Sequence, residues 1–106
     1  MGFFDFLRTP SIQQGVEEQA AQKGSVLVDV RMPEEYQAGH IPGSKNIPLP
    51  SIDKIREVAD NQNTPLYVYC YSGARSQQAV RVLQRMGYRN AKNIGGIATW
   101  RVKVEQ

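Results

Sequence analysis

The chain is poor in residues that staple or ligate: 106 residues include one cysteine and one histidine. A lone cysteine excludes an intramolecular disulfide, and one Cys with one His cannot fill a tetrahedral zinc cage. Long apolar runs are missing too, since no stretch approaches the roughly 20 residues that span a bilayer. Nor is there a block of cations: 13 Lys+Arg lie interspersed with 10 Asp+Glu, for a formal net charge of +3. Polyanion grooves need clustered cations, so neither nucleic acid nor a membrane span is expected, while a small anion stays open as a ligand. The opening MGFFDFLRTP has Asp5 within its apolar residues and no basic leader or cleavage site, unlike a signal peptide. Phe6 stands where a myristoylation signal takes Ser or Thr. The expectation is a cytoplasmic protein whose thiol stays reduced, with Phe3, Phe4, Phe6 and Leu7 packed on its body.

What is present suits one globular domain over residues 1–106. The chain is 41% hydrophobic and only 22% charged, and a chain of this size removes roughly 60–70% of its unfolded surface from water. Ser11, three residues before Gln14, forms a capping-box pattern, so a helix with a stripe of Ile12, Val16 and Ala20 is predicted up to Lys23-Gly24. Residues 25–30, SVLVDV, and 66–71, LYVYCY, are continuous apolar runs rich in strand formers, as in strands buried on both faces of a parallel sheet. Pro33-Glu34-Glu35 opens a short helix that Gly39 closes, with the two carboxylates as first-turn charges. Residues 45–49 predict a short strand near an edge, because Pro48 lacks a ladder donor. Ser51 is expected to cap a helix bearing Ile52, Ile55 and Ala59. Ala79, Val82, Leu83 and Met86 mark a helix over 75–86 with Gly87 as its cap. A strand over 90–94, a Gly95-Gly96 turn, a helical turn to Trp100 and a charged tail follow. The alternation of strands and helices predicts an α/β fold, a mostly parallel central sheet with helices on both faces.

Ligands of such sheets bind beyond the carboxyl ends of the strands, where Cys70 stands. It is followed by Tyr71-Ser72-Gly73-Ala74-Arg75 before a helix. A short loop containing glycine can turn successive N–H groups into one concavity, and the helix start adds positive potential. Arg75 would add a full charge, so the Cys70 thiol should titrate below its ordinary value. A lone Cys on an apolar strand is often inert filler, but the strand-end position, the glycine and the following Arg together favour a nucleophile.

Residues 29–49, DVRMPEEYQAGHIPGSKNIPL, residues 67–88, YVYCYSGARSQQAVRVLQRMGY, and residues 93–100, NIGGIATW, resemble a single-domain rhodanese. The resemblance covers residues 25–100. It implies a small rhodanese-like domain, with a short N-terminal extension, acting as a sulfurtransferase with no cofactor. Cys70 would be the nucleophile that carries sulfane sulfur as a persulfide. The amides of Tyr71, Ser72, Gly73, Ala74 and Arg75 would cradle a small anionic donor such as thiosulfate, and Arg75 would stabilise the anion. The implied acceptor is thiophilic, such as cyanide, a small thiol or a protein. Loops of the better-known thiosulfate enzymes often carry more basic residues, whereas Arg75 is this loop's only cation, which puts a protein-borne persulfide beside thiosulfate as a donor. The resemblance implies supporting roles for Asp29 with Arg31, a turn-stabilising role for His40, and a closing motif in Gly95, Gly96 and Trp100; Tyr67 and Tyr69 read as one strand face. Two alternatives stand: a relay or binding module without turnover, and a small cysteine phosphatase, whose C-x5-R loop is one residue longer than the C-x4-R found here.

Overall fold

The computed structural model describes residues 11–106; the apolar start, with Phe3, Phe4, Phe6 and Leu7, lies outside them. Helix α1 spans Ile12–Ala21. Its capping box forms as the sequence indicates, with Ser11 Oγ accepting from the Gln14 amide and Gln14 Oε1 accepting from the Ser11 amide, both at 3.2 Å. The buried stripe differs from the expected one. Ile12 and Gly15 are buried while Ala20 is exposed, because the helix docks through its first half. A Cβ on Gly15 would stand 2.5 Å from Ile94 Cβ, so the missing side chain sets this approach.

Strands β1 (Val26–Asp29), β2 (Lys45–Asn46), β3 (Leu66–Cys70) and β4 (Ala91–Gly96) form one sheet in the order β2-β1-β3-β4, with every pairing parallel. The two apolar runs are the two central strands, and the proline-limited strand is at an edge, as expected. Alternate residues of β3 serve different layers. Leu66, Val68 and Cys70 pack with Ile52, Ile55, Ala79 and Leu83, whereas Tyr67 and Tyr69 pack on the opposite face with Ile12 and Ile94. Helices therefore cover both faces. Short helix α2 (Pro33–Ala38) ends at Gly39, as predicted.

Three elements correct the sequence reading. Residues Leu49–Glu57 form a 3-10 helix kinked at Ser51, and the residue at its start is Pro48, with no side-chain cap. Pro50 lacks the N–H a regular first turn would use. Ile52 and Ile55 still face the core, since a spacing of three suits three residues per turn. Strand β4 runs on through Gly95 and Gly96 where a turn was expected. Its register slips by one residue, so that Val68 faces Asn93, Tyr69 faces Gly95 and Cys70 faces Gly96. Helix α3 (Ala74–Arg85) buries Ser76, Ala79, Val80 and Leu83, while Val82 and Met86 are only partly buried. The apolar pattern missed Ser76 because a hydroxyl was not counted as core. The tail folds back: His40 and Glu105 exchange backbone hydrogen bonds of 2.9 and 2.8 Å.

Candidate active site

The end of β1 is braced by a buried ion pair. Arg31 donates through Nε and Nη2 to the Asp29 carboxylate, at 2.8 Å for the Nη2–Oδ2 contact, and the same Nη2 donates to the Gly39 carbonyl. Asn46 Nδ2 ties in the carbonyls of Asp29 and Arg31 at 3.0 and 2.9 Å. This agrees with the bracing role expected of the pair. His40 stacks on Tyr36 with ring centroids 3.7 Å apart, and its Nδ1 lies 2.8 Å from the Tyr36 carbonyl. Its ring serves the turn, as the sequence suggested. Trp100 packs against the cluster of Tyr67 and Tyr69.

Cys70 ends β3, and the chain then leaves the sheet through Tyr71, Ser72 and Gly73. Gly73 has φ +104°, a left-handed conformation that favours glycine. This turn aims the Gly73 N–H at Cys70 Sγ, 3.0 Å away. Ser76 Oγ lies 3.5 Å from the same sulfur. The loop is clamped onto β4 by Asn93, whose Nδ2 donates to the Gly73 carbonyl at 3.1 Å, and whose Oδ1 accepts from the Gly95 amide at 3.0 Å and, at 2.7 Å, shares the single Ser76 hydroxyl proton with Cys70 Sγ. The Ala98 amide donates to the Tyr71 carbonyl at 3.0 Å.

Burial pushes the Cys70 thiol up. The Ser76 hydroxyl and the N–H groups of Ser76, Gly73 and Ser72 outweigh it and hold the thiol below its ordinary value. The depression is thus the work of neutral donors close to the sulfur. The N–H cradle expected from the sequence is part of this, whereas Arg75, expected to add its charge, is occupied elsewhere: its Nη1 and Nη2 donate to the two oxygens of Glu35 at 2.7 and 3.0 Å. Glu35 Oε1 also accepts from the Met32 amide at 3.0 Å. Arg75 first, and the Met32 amide beside it, hold the Glu35 carboxyl down to about 2 against burial. Glu35 is therefore more than a first-turn charge. Of the expected loop residues, Ser72 and Gly73 turn amides to the sulfur, Tyr71 is 55% exposed, and Ala74 opens α3. Ser76, just past the expected cradle, joins them.

Since the chain has one cysteine, its thiolate ultraviolet absorbance reports Cys70 alone below the tyrosine range. A depressed thiol keeps its thiolate to lower pH. Ser76→Ala is expected to move the midpoint of that titration up by about one unit, comparable to one lost charge-assisted hydrogen bond. An unmoved midpoint would remove Ser76 from the set of stabilising donors.

A thiolate held among N–H donors at a strand end can attack a soft electrophile such as a sulfane sulfur. Comparisons with known proteins fit this geometry. A family model for the rhodanese-like domain matches residues 13–103. The chain is 39% identical to the thiosulfate sulfurtransferase GlpE of Pseudomonas syringae pv. syringae, covering 96% of this chain and 93% of that protein. It is 41% identical over 71 residues to the thiosulfate sulfurtransferase PspE of Escherichia coli, covering 66% and 68%. It also matches the adenylyltransferase and sulfurtransferase uba4 of Ogataea parapolymorpha at 38% identity, covering 85% of this chain but spanning only 23% of that protein's length. Among solved structures, a rhodanese with anions from E. coli superposes with a TM-score of 0.72 at 35% identity, covering 77% of this chain and 98% of that one.

Proposed function

The chain belongs to the rhodanese-like domain family, and on that premise we propose that it is a sulfurtransferase whose Cys70 carries sulfur between a donor and a thiophilic acceptor. The observation that carries the reading is the Cys70 sulfur at the end of β3, with the Gly73 amide 3.0 Å away. Similarity to GlpE and PspE over most of this chain supports the same reaction class.

In the first half, the Cys70 thiolate attacks the outer sulfur of the donor. With thiosulfate the S–S bond breaks, sulfite leaves with the bonding pair, and Cys70–S–S⁻ remains; the three negative charges before the step are three after it. The amides that hold the thiolate would hold the persulfide anion as well. In the second half an acceptor takes the outer sulfur: cyanide leaves as thiocyanate, and the Cys70 thiolate returns. Ping-pong kinetics follow from the covalent intermediate. With no second cysteine in the chain, discharge through an internal disulfide is impossible, so turnover ends on an outside molecule.

The phosphatase alternative loses ground, because the loop is short and Arg75, its cation, is paired with Glu35. Intact-mass measurement after incubation with thiosulfate or a hydropersulfide should show the gain of one sulfur atom, mapped by peptide analysis to Cys70. Failure of every sulfane donor to load the protein would overturn the proposal.

A further inference from the structure

Two guanidinium groups follow the carboxyl ends of β1 and β3, and each is neutralised by the protein's own carboxylate. Arg31 is paired with Asp29 and Arg75 with Glu35, so two positive and two negative charges cancel. The second pair is built in two stages. Glu35 is fixed by its own helix, where Oε1 accepts the Met32 amide, and from there it grips both nitrogens of Arg75. Arg75 lies in the first turn of α3, directly before Ser76, whose hydroxyl is 3.5 Å from Cys70 Sγ; a free guanidinium there would act on an anion at the sulfur. Glu35 stays ionised well below neutral pH, so ordinary assay conditions do not release its partner.

Donors differ in what they ask of such a site. Thiosulfate arrives as a dianion, meets a thiolate, and releases dianionic sulfite. A hydropersulfide, R–S–SH, carries at most one negative charge at its sulfur end. The balanced step is Cys70–S⁻ + R–S–SH → Cys70–S–SH + R–S⁻, in which the donor S–S bond breaks and its inner sulfur departs as a thiolate with the pair. Neutral N–H donors suffice for that monoanion, whereas the dianion gains most from a free cation.

Resting on the sulfurtransferase reading above, we propose that Glu35 is a specificity-determining residue: by holding Arg75 in a two-point ion pair, it turns the site from thiosulfate toward hydropersulfide donors. Glu35→Gln tests this cleanly, because a glutamine oxygen can still accept the Met32 amide while the charge is gone. The readout is the ratio of kcat/KM for thiosulfate to kcat/KM for cysteine hydropersulfide, with a persulfidated cysteine peptide as a second arm for protein-borne sulfur. The ratio should rise roughly five- to tenfold, mainly through a lower KM for thiosulfate, as expected for one partly screened charge acting on a dianion. Glu34→Gln changes net charge equally on the exposed side of α2, and should leave the ratio within about twofold. Glu35→Asp, which keeps the charge, guards against an effect of helix disruption and should stay nearer the parent protein. If the unsubstituted protein loads sulfur from neither donor, the sulfurtransferase reading fails. If it loads normally and Glu35→Gln leaves the ratio unchanged, or Glu34→Gln raises it as much, the specificity inference fails alone.

Discussion

Replacing Cys70 by serine is expected to abolish sulfur loading and to lower kcat/KM with any sulfane donor by at least about 10³-fold, the scale on which covalent catalysts lose activity without their nucleophile. The substitution is nearly isosteric, and a serine oxygen can accept the Gly73 amide that now meets the sulfur. Fold should therefore survive while chemistry does not. A serine hydroxyl is un-ionised near neutral pH and is a poor partner for sulfane sulfur, so the donors that lower the Cys70 thiol have nothing to activate. Thiocyanate formation from either donor and cyanide, read beside circular dichroism and intact mass, checks the result. Sulfur retained on a folded Cys70→Ser protein would mean that the acceptor site lies elsewhere.

The second large effect should come from a residue with no functional group at all. Gly96 faces Cys70 across the last rung of the sheet. A Cβ there would stand 2.0 Å from the Tyr71 carbonyl oxygen and 2.6 Å from Ser72 Cα. These are backbone atoms that no rotamer change can move aside, so Gly96→Ala has to displace the loop. Overpacking of this kind costs about 1–3 kcal/mol, and a nucleophile misplaced by about 1 Å costs on the order of 10²-fold in rate. Gly95→Ala is the informative companion. Its φ of +102° makes any side chain strained, yet nothing stands within 4 Å of the added Cβ. It should lose about 1 kcal/mol of stability and much less activity than Gly96→Ala. Chemical denaturation and turnover measured on both variants separate strain from displacement; equal losses of activity would argue against the steric account.

The parts of this molecule that were legible in sequence were those where local chemistry and burial agree. The runs at residues 25–30 and 66–71 are apolar on both faces because β1 and β3 lie in the middle of the sheet, and the Ser11 and Gln14 cap is specified by residues three apart. Cys70 and its glycine-containing loop stood out for the same reason. What was hidden depends on distance along the chain. Glu35 and Arg75 are forty residues apart, and nothing in a first-turn glutamate announces a partner on another helix. Glu35 at the third position of its helix was a usable sign of a capping box, masked because Met32 rather than Ser, Thr, Asp or Asn precedes that helix. Ser76 belongs to the buried stripe of α3 together with Ala79, Val80 and Leu83, a pattern visible once a hydroxyl is allowed among core positions. The 3-10 segment was misread because core residues spaced by three also fit an α-helix.

Cys70 has 0% exposure, although Tyr71 beside it is 55% exposed. For a sulfur carrier this bears on storage time. On the proposed mechanism, a loaded sulfur would project only about 2.0 Å beyond Sγ, the length of one S–S bond, and would begin its life beside a buried Cys70. Stray thiols and oxidants would then discharge it only as fast as the loop opens, and the leak would level off as their concentration rises. A partner that opens the loop on docking would escape that ceiling. The same burial that protects the charge against the solvent would thus decide who is permitted to spend it.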